Sequence, residues 1–137
     1  MPSLSGPATM FDLVQRGMSA QALRMNAAAS NLANAGSVAG SEDAAYRAMR
    51  PVFATALDRE TGLATVDVDR IARSTAAPVG RHDPDHPMAD ANGLVWGAAV
   101  DETGEMVEMM EAARQYQNLV EAMQTAKQLM LDTLRMK

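Results

Sequence analysis

The sequence contains no cysteine, so neither disulfide bridges nor thiol chemistry can contribute to its fold or function. Aromatic residues make up only 4% of the 137 residues, which makes a large, enzyme-like core hard to build. No run of about 18 apolar residues occurs, so we expect no membrane-spanning segment. The first ten residues have neither a basic region nor an apolar stretch, and they therefore predict no cleavable secretion signal.

Positive charge is also scarce. Twelve Lys and Arg residues face seventeen Asp and Glu residues, which gives a net charge of -5. This balance argues against binding to nucleic acid or to an anionic membrane surface. The length suits one modest domain, or one helical unit with a small insert. Methionine is abundant, with 12 residues, and its flexible side chain suits adaptable interfaces.

The stretch from Thr9 to Ala35 is predicted to form one long amphipathic helix. Thr9 and Asp12 resemble a capping box, while Asn34 and Gly36 suit a left-handed helix end. One apolar row recurs at steps of three and four and is interrupted only by Gln21: Phe11, Val14, Met18, Met25, Ala28 and Leu32. A second, weaker row suggests a second packing partner, although the chain offers only one obvious mate: Met10, Leu13, Gly17, Ala20, Leu23 and Ala27.

That mate is a second long helix that starts near Glu105, with Thr103 as its predicted N-cap. It is predicted to bury a heptad-like row: Met106, Met109, Ala113, Tyr116, Val120, Met123, Met130 and Leu134. Lys127 interrupts this row once, and three further residues widen it on one side: Ala112, Leu119 and Ala126. The simplest interpretation is that the two terminal helices pair and that both keep spare apolar surface.

The region between the helices is predicted to be a small β-rich insert. Strands are expected at Tyr46–Leu57, where Pro51 indicates an edge strand or a bulge, at Ala64–Ile71 and at Leu94–Val100. Residues 36–45 and 77–93 are expected to be loops, and residues 58–62 a turn. The predicted fold is therefore mainly α, with long N- and C-terminal helices pairing as a coiled coil around this insert. The predicted division is 1–37, 38–103 and 104–137.

The residues that most resemble a chemical site are His82 and His86. Their spacing can bind zinc on a helix, but Pro84 and Pro87 make a helix improbable there and no third ligand lies nearby in sequence. No sequence context marks a nucleophile, and Gly93 and Gly97 form no phosphate-binding pattern. We therefore predict no catalytic residue, no metal site and no cofactor.

The segment SNLANA at residues 30–35, inside a helix near the start of the chain, resembles the motif of bacterial flagellar axial proteins. These are the rod, hook and filament-junction subunits. Further matching segments follow in the expected order: YRA at 46–48, HPMAD at 86–90, NGLV at 92–95, EMV at 105–107 and RQYQN at 114–118. The short total length resembles the proximal rod proteins more than the longer distal rod or hook subunits.

The resemblance implies a structural subunit and not an enzyme. Members of this family stack helically, and their terminal helices form an inner coiled-coil tube while the middle domain faces outward. Expected partners are further copies of the chain, other rod proteins and the flagellar export apparatus. The expected location is the basal-body rod that spans the periplasm, reached by export without cleavage, where the rod acts as drive shaft and export channel.

The predicted assembly interface combines both helices. Its members are Phe11, Val14, Met18, Met25, Asn31, Leu32, Asn34, Met109, Tyr116, Val120, Met123 and Met130. Asn31 and Asn34 carry amides that can bond the backbone or a neighbouring chain, and Asn34 can alternatively just end the helix.

Two other functions stay open at this point. A secreted coiled-coil adaptor would use the same helices to bind one partner, and a small hydrolase or metal enzyme would be built around His82 and His86. Within the flagellar family, a sister proximal rod protein is the competing assignment.

Overall fold

One helix precedes and one helix follows a β-rich middle region along the chain, as the sequence predicts. The structure is a computed structural model that describes residues 7–57, 59 and 62–136. Within them the order is α1 (Pro7–Asn34), β1 (Val38–Ala39), β2 (Met49–Leu57), β3 (Ala64–Arg73), β4 (Val79–His82), β5 (Leu94–Gly97) and α2 (Glu102–Arg135). With this many strands between the helices, the fold is a mixture of α and β and not strictly mainly α. None of the described helices is long and apolar enough to cross a membrane.

The ends of α1 differ from the prediction. The helix begins at Pro7, where the fixed φ and missing N–H of proline suit the first helical position. The Thr9 half of the predicted capping box lies outside the residues whose side chains are described. At the other end the predicted left-handed residue is wrong, because neither Asn34 nor Gly36 has a positive φ. Instead, the N–H and hydroxyl groups of Ser37 donate to the Asn34 carbonyl at 3.0 and 2.8 Å.

The start of α2 also differs from the prediction. Asp101 occupies the N-cap position and Thr103 lies inside the first turn, so the predicted cap is wrong. The Asp101 side chain makes no capping hydrogen bond. Its backbone carbonyl accepts the first helical hydrogen bond, from the N–H of Glu105 at 2.9 Å. Acidic Glu102 and Glu105 in the first turn complement the helix dipole.

The two helices lie side by side and run antiparallel. Near the start of α1, a Cβ atom added to Gly17 would lie 3.1 Å from the Leu119 Cδ1 atom. One to two turns later, Arg24 Nε donates to Glu108 Oε1 at 2.7 Å. At the end of α1, Asn31 reaches Glu105 at 3.0 Å. As residue numbers increase along α1, the residue numbers of their contact partners on α2 decrease, so the two helices run antiparallel.

The inward side of α2 contains most of the predicted row together with the three residues predicted to widen it. Ala113 and Val120 of the predicted row are half-buried. One row of buried and half-buried side chains follows steps of four and three: Glu105, Met109, Ala112, Tyr116, Leu119, Met123, Ala126 and Met130. Met106 is 51% exposed and Leu134 is 65% exposed, so both were wrongly placed inward. The prediction avoided a charged residue at the first position of the row and was therefore displaced by one residue there.

The second apolar row of α1 has a mate that the sequence did not reveal. Ala20 and Leu23 line a cleft of about 540 Å³ whose opposite wall is Val66 and Val68 of β3. Arg16 Nη1 bridges the same cleft to Asp67 Oδ1 at 3.0 Å. The hairpin of β2 and β3 therefore covers part of this row, while Met10 and Leu13 at its start stay exposed.

The described strands form two sheets. In the first, β2 pairs with β3 antiparallel, and the register shifts between Val52 and Phe53. This irregularity directly follows Pro51, which confirms the prediction of a bulge or edge strand there. The second sheet has the order β1-β5-β4. The loop predicted across Val79–His82 is wrong: although all four residues of β4 are exposed, they pair with β5, and Gly80 lies against the Trp96 ring.

The interior is built from small side chains. Its buried residues in the middle region are Ala39, Ala45, Ala48, Val95 and Ala99. Such side chains let backbones approach closely, and the segments are joined by hydrogen bonds from Ala99 N to the Tyr46 carbonyl at 2.8 Å and from Ser74 N to the Ala48 carbonyl at 2.7 Å. Close backbone contact therefore replaces the aromatic packing that the composition cannot supply.

Two glycines with positive φ allow a test of local packing. Gly93 has φ +74° and Gly62 has φ +67°. An added Cβ at Gly93 would lie 3.0 Å from Pro84 Cβ and 3.1 Å from His82 Cε1, whereas at Gly62 it would meet nothing within 4 Å. We expect Gly62→Ala to lower the free energy of unfolding by about 1–2 kcal/mol, from backbone strain alone. Gly93→Ala should cost clearly more in a urea titration, and equal losses would contradict the packing described for this loop.

Candidate functional site

The most unusual feature of the molecule is a polar junction where α1, β2 and α2 meet. Asn31 is fully buried there. Its Nδ2 atom donates to the Met49 carbonyl at 2.9 Å and to Glu105 Oε2 at 3.0 Å. Its Oδ1 atom accepts from the Met49 N–H at 2.7 Å and from the Tyr46 hydroxyl at 2.8 Å. An amide has two donors and two acceptor positions, so every one of them is used inside the subunit.

Glu105 is the second fully buried member of the junction. One carboxylate oxygen accepts the Asn31 hydrogen bond, and the other forms an ion pair with Arg50 Nη2 of β2. The hydrogen bond to Glu105 raises the pKa of the Arg50 guanidinium above its usual value, and burial opposes this shift. A buried carboxylate is tolerated only when its charge and hydrogen bonds are satisfied. Asn31 supplies a hydrogen bond and Arg50 supplies the opposite charge.

The apolar residues of the predicted interface on α1 fall into two groups. Val14 is buried, while Phe11, Met18, Met25 and Leu32 are half-buried. Met18 lines one open cavity of about 260 Å³ together with Tyr116 and Met123 of α2. The structure therefore brings these three predicted residues together between the helices.

The two asparagines of the SNLANA segment have different roles within the subunit. Asn31 exposes no surface to a neighbouring chain, because its amide bonds only to its own subunit. Asn34 donates from Nδ2 to the Ser30 carbonyl at 2.8 Å and accepts two bonds from Ser37 at its own carbonyl. Its contacts are those of a residue that ends the helix.

The predicted residues of α2 lie along its inward side. Met109, Tyr116, Met123 and Met130 are half-buried in the inward row, and Val120 is half-buried beside it. On the opposite side lies a groove of about 480 Å³ that the sequence analysis did not single out. Its lining residues are Val107, Met110, Glu111, Ala113, Arg114 and Gln117.

Side chains on this outer side are left uncovered. Met110 is 70% exposed and Val107 is 61% exposed. At the far end of the same helix, Leu129 and Met136 are exposed as well. Apolar residues at steps of three opposite the heptad row were the available sequence signal for this surface. We call the surface formed by Met106, Val107 and Met110 the outer face of α2.

The two histidines, His82 and His86, lie in different parts of the backbone structure. His82 lies in β4, so His82 and His86 do not share a helix face. His86 Nδ1 accepts a hydrogen bond from the Met88 N–H at 3.1 Å. Among the described residues, no group of three or more His, Asp or Glu side chains is placed to hold a metal ion.

Asp90 shapes the turn that follows this segment. Its Oδ1 atom accepts from the Leu94 N–H at 2.9 Å and from the Asn92 N–H at 2.8 Å. The Leu94 hydrogen bond is the main cause of a lowered pKa at Asp90, and burial opposes it. The stabilisation of the turn is therefore present at neutral pH and is lost as the pH falls through this lowered pKa.

The junction partners of Asn31 were missed by the sequence analysis. The sequence placed Glu105 near the start of the second helix and Tyr46 and Arg50 in a strand, and it assigned none of them to a polar contact with Asn31. The only signal was positional, because Glu105 precedes Met109 and Ala112 at heptad spacing. A charged residue at such a position predicts either exposure or a buried polar partner.

Comparison with known proteins gives consistent similarities. Residues 91–136 match the family model described as the flagellar basal body rod FlgEFG protein C-terminal. The chain is 44% identical over 127 residues to the flagellar basal-body rod protein FlgC of Salmonella typhimurium and to that of Yersinia enterocolitica. It is 43% identical to the protein of that name from Escherichia coli. Each comparison covers 91% of this chain and 93% of the relative. The names of these relatives support neither of the alternatives raised from the sequence, a secreted coiled-coil adaptor or a sister proximal rod protein.

The junction predicts a graded series of stability losses. Asn31→Ala leaves the Met49 N–H and carbonyl groups and one Glu105 oxygen without their partner, so the free energy of unfolding should fall by more than about 2 kcal/mol. Tyr46→Phe removes one donor from an oxygen that keeps a second, and should cost about 1 kcal/mol. Asn34→Ala serves as the control in the same segment. Thermal unfolding of the purified variants measures all three, and an Asn34→Ala loss equal to that of Asn31→Ala would refute this account.

Proposed function

The chain belongs to the family of the flagellar basal-body rod protein FlgC and is a structural component of the rod, and from this premise we propose how it assembles. Copies of the subunit stack helically with one another and with other rod proteins. The antiparallel helix pair forms a coiled coil that lines the wall of a tube, and the β-rich region faces away from the tube axis. The tube serves as drive shaft and export channel.

The observation that carries this proposal is the uncovered outer face of α2. Met106, Val107 and Met110 lie on the side of α2 opposite to the row that faces α1, and each is more than half exposed. Fully burying one such side chain contributes about 1.5–3 kcal/mol. A contiguous apolar face of this kind marks a protein interface. Its contact with a different surface of the next copy does not close on itself, and such heterologous contacts generate helical assemblies.

The charges around the outer face favour a helix of another protein subunit as its partner. Glu111 and Arg114 flank it and form an ion pair with each other at 2.6 Å, so the face itself carries little net charge. A neutral, apolar strip suits another helix better than it suits nucleic acid, whose binding needs a basic surface. The partners we propose are therefore helices of neighbouring subunits.

The rod location also implies a route of delivery. We propose that the subunit passes through the flagellar export apparatus without cleavage and assembles in the periplasm. An unfolded subunit can use such a route because its helices gain most of their stability from tertiary packing. The absence of cysteine also prevents wrong disulfides in an oxidising compartment. Its role is structural, with no catalytic step and no cofactor.

A matched pair of substitutions tests the outer face. Met110 on α2 and Val79 on β4 are both 70% exposed. An aspartate at either position should change the stability of the free subunit by less than about 0.5 kcal/mol, because neither side chain is buried. In cells that lack their own copy, Met110→Asp should abolish motility and rod formation, since it places a charge in the subunit contact. Val79→Asp should restore swimming. Normal rods with Met110→Asp would exclude the outer face from assembly.

A further inference from the structure

The inward side of α2 could in principle be either of two rows. Both rows share four residues, Met109, Tyr116, Met123 and Met130. The observed row adds Glu105, Ala112, Leu119 and Ala126, whereas the alternative row adds Met106, Ala113, Val120 and Lys127. The two differ by a rotation of α2 of about 50° about its axis, because they share every second member and their other members are neighbouring residues, which lie about 100° apart around a helix.

Apolar content does not select the observed row at its first position. There the observed row carries a carboxylate, and the alternative would carry Met106. Burying a charged residue while leaving a methionine more than half exposed is unfavourable on hydrophobic grounds alone. Farther along α2 the alternative row would bring Lys127 inward in place of Ala126, so hydrophobic burial favours the observed rotation there. At the start of the helix, a specific polar interaction must offset the cost of burying the carboxylate.

Asn31 supplies that interaction. It lies on α1 and donates to Glu105 Oε2, while Arg50 of β2 pairs with the other oxygen. One oxygen thus receives a hydrogen bond from α1 and the other an ion pair from β2. Rotation of α2 to the alternative row would withdraw the carboxylate from Asn31 and leave one N–H of this buried amide unpaired. A buried polar residue in a helix interface is a known means of fixing register at some cost in stability.

We propose that Asn31 and Glu105 are positioning residues that set the rotation of α2, and thereby keep Met106 on the outer face, where it is left for neighbouring subunits, and out of the row that faces α1. Neither residue touches a neighbour. They act through Met106 and Met110, which point outward because Glu105 points inward. The consequence for assembly rests on the proposed function, whereas the rotation itself is a property of the single subunit.

The cysteine-free chain allows the rotation to be measured directly. Met106→Cys and Ala112→Cys place one thiol on the exposed and one on the fully buried side of α2. In the otherwise native subunit, the thiol at 106 should react with a water-soluble maleimide at least about tenfold faster than the thiol at 112, because the latter needs local opening. This ratio of labelling rates reports which row faces inward.

Exchanging the polar partners tests what sets the ratio. Asn31→Asp places two carboxylates together, so the ratio should fall to near one. Adding Glu105→Gln to Asn31→Asp restores a donor opposite an acceptor between α1 and α2, since the new amide donates to the aspartate and still accepts from Arg50. The Met49 carbonyl keeps no donor at position 31 in either variant. The double variant should therefore recover part of the native ratio that Asn31→Asp loses. Asn34→Asp, in the same segment but bonded only to Ser30 and Ser37, should leave it unchanged.

A second variant separates rotation from unfolding. Glu105→Met removes the charge and makes the two rows similar at this position, so helical circular dichroism should be retained while the ratio falls at least severalfold. An unchanged ratio in Glu105→Met, or no recovery in the exchanged pair, would overturn the proposal. Motility is recorded separately in the same variants. A subunit that shows the labelling pattern but never restores motility in its native form would refute the proposed function and leave the assigned rotation standing.

Discussion

The hydrogen bond between the Asn31 amide and the Glu105 carboxylate is the contact on which the arrangement of this subunit depends. It joins the end of α1 to the start of α2, and through Met49 and Arg50 it includes the first strand of the hairpin. The surrounding interior consists mostly of alanine and valine, which offer few directional contacts. Hydrophobic burial holds the elements together, and this polar junction determines how they are oriented.

Burial decreases along α2 with distance from the junction. Ala112 is completely buried, Tyr116 is half-buried and Leu134 is mostly exposed, whereas on α1 Val14 and Ala20 stay buried far from the junction. The subunit is thus firmly packed at one end and offers apolar surface at the other end and along the outer face of α2. This distribution suits the assembly proposed above, in which neighbouring subunits cover the apolar surface that the single chain leaves exposed.

Much of this arrangement followed from sequence periodicity, and the rest required three-dimensional partners. The two long helices and β3 were predictable because their apolar residues recur at helical or strand spacing. The rotation of α2 was not, because periodicity favours Met106 over Glu105 at the start of the helix, and the distant Asn31 reverses that preference there. β4 was missed because its four residues are exposed and its pairing with β5 crosses a turn rich in proline and glycine. The family resemblance correctly identified SNLANA, but the spacing of its residues did not show that Asn31 bonds within the subunit.

Amide hydrogen exchange of the purified subunit, followed residue by residue, tests the central role of the junction most directly. If the Asn31–Glu105 contact anchors the helix pair, protection should be greatest at residues 27–31 and 105–112 and should decline toward residues 10–14 and 129–135. The account would be contradicted by uniform protection along both helices, or by exchange that is fastest at the junction.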